Sequence, residues 1–193
     1  MEAGTVPRRD AGDPMGVPTA GGGLQAIRRA DWRFLLPDPD LGRVAYPAPR
    51  DPGLFEALRQ VSVSVDRSPL SELDGHDVVV VTGGGRRGGV SAARQTPPGA
   101  WLVIEVRGRE ARSVAAGLRR RGFTDVEAHW LWPDAERCRE IVPLRPVAVR
   151  HALARRDPGG RVRPRVRLAQ LLARTPLFDL AVERAVVVAK APA

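Results

Sequence analysis

Four valines stand in a row at positions 78–81, closed off by Asp77 and Thr82. A strand with one wet face alternates polar and apolar residues, whereas a strand without polar positions has to be covered on both faces. A second run of this kind, Trp101-Leu-Val-Ile-Glu-Val106, is entered through the Pro98-Gly99 turn. Two such strands commit the chain to a layered α/β architecture, because only helices above and below a sheet can bury both of its faces.

The flanking sequence supplies those helices. Residues 51–60 read as a helix, with Asp51 as N-cap, Pro52 at the first helical position and Leu54, Phe55 and Leu58 on one face. Residues 109–121 read as another, with Ala111, Val114, Ala115 and Leu118 along one side and Gly122 as its stop. Further strands are expected at 42–47, at 61–65 (period two, ending at Asp66), at 124–132 (stopped by Pro133) and at 183–190. Residues 83–89, Gly-Gly-Gly-Arg-Arg-Gly-Gly, read as a flexible surface loop. They follow a buried strand, as phosphate cradles do, but lack the Lys-Ser/Thr pair of such a loop. Residues 168–172 and 177–180 read as helical fragments flanking Pro176. The order is β-α-β, β, β-α-β, a long excursion, then β. With right-handed crossovers this is a doubly wound, mostly parallel open sheet with helices on both faces. Ligands of such sheets sit beyond the carboxyl ends of the strands, which directs attention to residues 46–53, 66–68, 82–89, 105–109 and 129–133.

A length of 193 residues suits one domain. Residues 1–23 are rich in Gly and Pro and poor in large apolar side chains, so a disordered arm is expected there, with the folded domain over 24–193. Apolar runs too short for a membrane span and the absence of an apolar block in 1–23 lead to the expectation of a cytoplasmic protein. The single cysteine, Cys138, excludes an internal disulfide and a multi-cysteine zinc site, and three scattered histidines make no metal site, so no metal is expected. The net charge of +9 is local: residues 143–174 hold nine arginines and one acid, Asp157, within a basic insertion at 134–182. Such a segment is either a solvated face or a surface for an anionic ligand, whether nucleic acid, acidic membrane or phosphorylated substrate. It contains no aromatic residue for base stacking.

At the strand ends the chain resembles the class I S-adenosylmethionine-dependent methyltransferases. Val-Asp-Arg-Ser-Pro (65–69) is similar to that family's second strand and its acidic end, Asp-Val-Val-Val-Val (77–81) to its fourth strand, and Pro-Pro-Gly-Ala-Trp-Leu-Val-Ile-Glu (97–105) to its fifth. Leu-Arg-Arg-Arg-Gly-Phe-Thr-Asp-Val (118–126) is similar to the helix before its sixth. The resemblance covers 40–132 and 183–190 and implies a Rossmann-like, methyltransferase-like sheet whose last strand is antiparallel. It also implies an S-adenosylmethionine site at Tyr46, Ala48, Arg50, Gly53, Asp66 and Thr82, with Asp66 as the ribose acceptor and a small molecule, of specialised metabolism, as substrate. His129 is the candidate general base, and Trp130 and Trp132, on the opposite side of the same strand, are candidate substrate walls or else core residues.

The family pattern is broken in two places. Tyr46 stands where an acid is usual, Ala48 and Arg50 stand near two glycine positions, and Pro47, Pro49 and Pro52 each remove a backbone donor. Residues 67–76 are too few for the helix and strand that the family places there, so one sheet edge is expected to be truncated. Three readings follow: a methyltransferase; an inactive relative serving as partner or scaffold, or turned to cofactor-free chemistry; and a polyanion binder acting through 143–174.

Overall fold

The computed structural model describes residues 27–67, 69–155, 172, 175 and 178–193. The expected arm at 1–23, most of the arginine-rich segment and the expected helix at 168–172, apart from Leu172, lie outside the described residues.

A kinked 3₁₀ segment, Arg28–Leu35, comes first. It leads to β1 (Arg43–Ala45), α1 (Pro52–Val61), β2 (Ser64–Asp66) and a short 3₁₀ turn at Leu70–Glu72. Then come β3 (Val78–Thr82), α2 (Gly85–Gln95), β4 (Trp101–Val106), α3 (Gly108–Arg119) and β5 (Thr124–Trp132). β6 (Glu140–Pro143), α4 (Pro146–Arg155), α5 (Phe178–Ala181) and β7 (Ala185–Lys190) complete the described chain. The seven strands form one sheet in the order β2-β1-β3-β4-β7-β5-β6. β1 pairs in parallel with β2 and β3, and β3 with β4; β7 runs antiparallel to both β4 and β5, and β6 antiparallel to β5. Five strands therefore point one way, and the last strand is antiparallel, as expected.

The two valine-rich strands are buried on both faces because each face has its own core. On one side the 3₁₀ segment and α1 press Trp32, Leu41, Leu54 and Leu58 against Val44, Val80, Val103 and Leu131. On the other side α2, α3, α4 and α5 cover Val79, Leu102, Ile104, Trp130 and Val187. α1 starts where the sequence indicates, with Asp51 Oδ1 accepting from the Leu54 amide at 3.0 Å.

Residues 83–89 are not a flexible loop: from Gly85 onward they are the first turns of α2. Glycine costs about 1 kcal/mol relative to alanine in a helix interior, so propensity argues against this helix. Packing overrides it. A Cβ on Gly89 would lie 3.0 Å from Ile104 Cδ1, so α2 sits close against β4 at a glycine. β6 and α4 were also not anticipated; they build ordinary structure into the first part of the 134–182 excursion. The expected truncation is present: between β2 and β3 the described residues hold only the short 3₁₀ turn, and β2 forms the sheet edge.

Candidate functional site

β2, β1, β3 and β4 are neighbours and run in parallel, so Asp66, Tyr46, Thr82 and Glu105 lie along one rim. β1 is the first strand of the sheet and has its successors on either side, β2 on one and β3 on the other. This is the switch in strand order where doubly wound sheets bind ligands. The five co-directional strands and the antiparallel last strand, lodged between β4 and β5, decide the fold. The sheet is Rossmann-like, with a methyltransferase-like topology.

What fills this methyltransferase-like rim is the chain itself. Tyr46 is fully buried, and its hydroxyl shares a 2.8 Å hydrogen bond with Thr82 Oγ1. Burial pushes the phenol's pKa up. Glu105 pairs in register with Thr82 and is 1% exposed. Its two oxygens accept from Arg29, Nη1 to Oε1 at 2.6 Å and Nη2 to Oε2 at 2.5 Å. Arg29 Nε donates to Asp51 Oδ2 at 2.9 Å. Asp51 follows β1 and Glu105 belongs to β4, with β3 between them, so the Arg29 side chain spans the tip of β3 and roofs the crevice.

The electrostatics are consistent with that geometry. Burial works against a charged guanidinium, but the hydrogen bonds and charge of Glu105, then those of Asp51, outweigh it and raise the Arg29 pKa above its ordinary value. Burial likewise opposes ionisation of Asp51, yet the Leu54 amide and Arg29 hold its carboxyl below the usual range. Sequence reasoning missed Arg29, since an arginine amid Gln25-Ala-Ile-Arg-Arg-Ala30 carries no motif. The only available signal was its place just before the docked Trp32-Arg-Phe-Leu35 stretch.

The other residues singled out in the sequence fall as follows. Arg50 lies along Gly83, its Cδ 3.6 Å from where a Cβ would stand. Ala48 is exposed, and Gly53 sits exposed in the first turn of α1. Asp66 Oδ2 lies 2.9 Å from His76 Nε2, while His76 Nδ1 lies 2.9 Å from the Leu73 carbonyl oxygen. His129 is level with Glu105 but two strands away, both residues facing Val186 of β7. It is buried, with Nε2 3.4 Å from Glu127 Oε2 and Nδ1 unpartnered among the described residues. Burial pushes its pKa down. Trp130 is a core side chain, edge-on to Phe178 at 5.4 Å and to Trp132 at 4.8 Å; Trp132 is 36% exposed. The structure therefore gathers Tyr46, Thr82 and Asp66 on the rim and holds His129, Trp130 and Trp132 apart from it.

These residues do not fit S-adenosylmethionine. The cofactor's amino-acid end would have to displace Arg29 from two carboxylates, leaving Glu105 buried and unpaired. Three prolines in the loop offer no amide to it, and the ribose acceptor already holds His76. Among the described residues no group of His, Cys, Asp or Glu could hold a metal ion.

Open space lies next to this rim. A cavity of about 760 Å³ is bounded by Gly83–Gly85 at the start of α2, by Glu105–Arg107 and Arg109 at the start of α3, and by residues 179–184. A smaller one, of about 210 Å³, lies over Arg29 and Asp51 beneath residues 134–137.

No family model and no curated protein matches the sequence. Among solved structures, the chain is similar to Haemonchus contortus phospholethanolamine N-methyltransferase 2, in complex with phosphomonomethylethanolamine and S-adenosylhomocysteine. That likeness has 10% identity and a TM-score of 0.43 over 90% of this chain, which spans about half (53%) of that protein. It is also similar to a possible histamine N-methyltransferase from Thermotoga maritima, at 13% identity and a TM-score of 0.37, covering 88% of each chain. The [4+2]-cyclase SpnF gives 12% identity and a TM-score of 0.36, covering 94% of this chain and 85% of that one.

Proposed function

We propose that this chain is a methyltransferase-like protein that works without S-adenosylmethionine, as a ligand-binding or partner subunit. The observation that carries this reading is Arg29, held by Glu105 and Asp51 across the tip of β3 above a buried Tyr46–Thr82 pair. A cofactor rim is normally a concave, solvent-filled cleft with backbone donors turned into it. Here the same place is packed by side chains that satisfy one another.

The test is calorimetric titration of the full chain with S-adenosylmethionine and with S-adenosylhomocysteine. The expected result is no saturable binding tighter than about 1 mM, the weak end of specific affinity. Saturable binding near about 1 μM, about 4 kcal/mol stronger, would overturn the reading.

One observation favours a second reading, in which the chain is a small-molecule methyltransferase with Asp66 at the ribose, His129 as base, and Trp130 and Trp132 toward the substrate. Gly83 and Glu105 of the rim also line the 760 Å³ cavity, so a substrate there would stand beside the cofactor's place. This reading requires Arg29 to swing out, and the same titration decides it. The basic segment remains a candidate surface for an anionic ligand, and salt-dependent binding to nucleic acid or to acidic liposomes tests it.

A further inference from the structure

The cavity beside the rim has polar groups that nothing in the protein satisfies. α2 starts at its wall with Gly84 in the N-cap position, no side-chain cap and no acid in its first turn. α3 also starts there, with Arg107 as its N-cap residue and no side-chain cap. Helix N-termini carry partial positive charge, so acids are favoured and cations disfavoured there. Yet Arg107 and Arg109 both stand in this first turn, and Arg184 faces the same space. None of the three has an ion pair or a side-chain hydrogen bond among the described residues. The one acid in α3's first turn, Glu110, lines the same cavity at the α2 side, its carboxylate 3.2 Å from where a Gly85 Cβ would stand, and Glu183 lines it as well.

A second, independent observation comes from the opposite wall. Asp179 lines the cavity and is 6% exposed. Its Oδ2 accepts from Arg112 Nε at 2.6 Å, but Oδ1 has no hydrogen-bond partner among the described residues. Burial pushes this carboxyl's pKa up, against the pull of Arg112. A buried acceptor left unmade is unfavourable, and the residue that carries this one stands in the cavity wall. A volume of about 760 Å³ suits a small ligand.

We propose that this cavity binds a small molecule bearing both a phosphate or carboxylate and a hydroxyl or amine donor. The anionic group lies between Arg107, Arg109 and Arg184 at the start of α3, and the donor reaches Asp179. The proposal gives the closed-rim protein its ligand, and it rests on that reading only in making the cavity the place where a ligand enters.

The test titrates the full chain with three probes: inorganic phosphate, glycerol 3-phosphate and glycerol. Glycerol 3-phosphate is expected to bind about tenfold more tightly than phosphate, and glycerol not at all. Arg107→Gln with Arg109→Gln abolishes binding of both anions. Asp179→Asn brings glycerol 3-phosphate down to the phosphate level and leaves phosphate unchanged. Absence of anion binding overturns the proposal, and so does binding that survives the double arginine substitution, which would place the anion on the basic segment. If Asp179→Asn melts, Arg184→Gln carries the test: it is expected to weaken both anions about tenfold, and an unchanged affinity overturns the proposal. S-adenosylhomocysteine reports on the rim and these probes on the cavity, so the two readings fail separately.

Discussion

The rim at Tyr46 and the cavity at Gly84 adjoin at the same end of one sheet, yet they treat charge in opposite ways. At the rim the buried Arg29 holds two carboxylates, Asp51 holds Arg29 and an amide, and Asp66 lies against His76. In the cavity three arginines, the carboxylates of Glu110 and Glu183 and one oxygen of Asp179 go without among the described residues. Groups that satisfy one another inside a fold serve its stability and specificity, whereas unsatisfied groups around an open volume suit something that arrives from outside. Position in the fold made the rim the expected ligand site, and the hydrogen-bond accounting moves that expectation to the cavity beside it.

The sharpest way to break the comparison is to unpair the rim. Glu105→Ala leaves the buried Arg29 guanidinium with Asp51 as its one carboxylate and is expected to cost about 3–5 kcal/mol in urea unfolding. Replacing the pair together, Arg29→Met with Glu105→Met, should recover most of that loss, because desolvation of the two charges cancels much of what they gain. A Glu105→Ala protein as stable as the parent would show that the roof over β3 is not held as described.

The cavity's wall can be broken next. Gly108 opens α3 with its amide on the Val182 carbonyl at 3.1 Å. A Cβ there would stand 2.2 Å from Val182 Cβ and 2.6 Å from its carbonyl oxygen. Gly108→Ala is therefore expected to cost about 1–3 kcal/mol, and to weaken glycerol 3-phosphate as residues 179–184 are pushed away. Tyr46→Phe is a smaller change. It removes one hydroxyl and leaves Thr82 Oγ1 buried without its partner, for about 1–2 kcal/mol by thermal unfolding. If the rim is closed as argued, Tyr46→Phe leaves binding in the cavity unaltered.

How much of this could be read beforehand depends on the kind of signal. Val78–Val81 and Trp101–Val106 announced doubly covered strands through composition alone, and the short run from 67 to 76 announced the missing sheet edge through length. Asp51-Pro52 marked a helix start because capping is local chemistry. The start of α2 stayed hidden because the fit of Gly89 against Ile104 is a contact between distant parts of the chain. Arg29 stayed hidden for the same reason: its partners lie 22 and 76 residues away. Asp179, in a stretch read as excursion, and Arg184, at the start of the expected last strand, became legible only when α5 and β7 brought them to the start of α3.

The smallest effect is expected at His129, which belongs to neither region. Burial holds its folded pKa below the ordinary value, with Glu127 opposing and Arg145 reinforcing the shift. As pH falls below about 6.5, the unfolded chain takes up the proton first, because that is the ordinary histidine range. Stability therefore declines as pH drops from there to the lower folded value, and is unaffected by this residue above it. The slope is at most about 1.4 kcal/mol per pH unit. His129→Gln should flatten that part of the pH profile of chemical unfolding. It should leave the steeper loss further down in acid, where Asp51, held ionised by Leu54 and Arg29, finally protonates. Asp51→Asn should do the reverse, removing the acid limb and sparing the one near neutrality. A His129→Gln profile identical to the parent's would mean that the ring's nitrogens reach solvent, and His129 would return to contention as an accessible base.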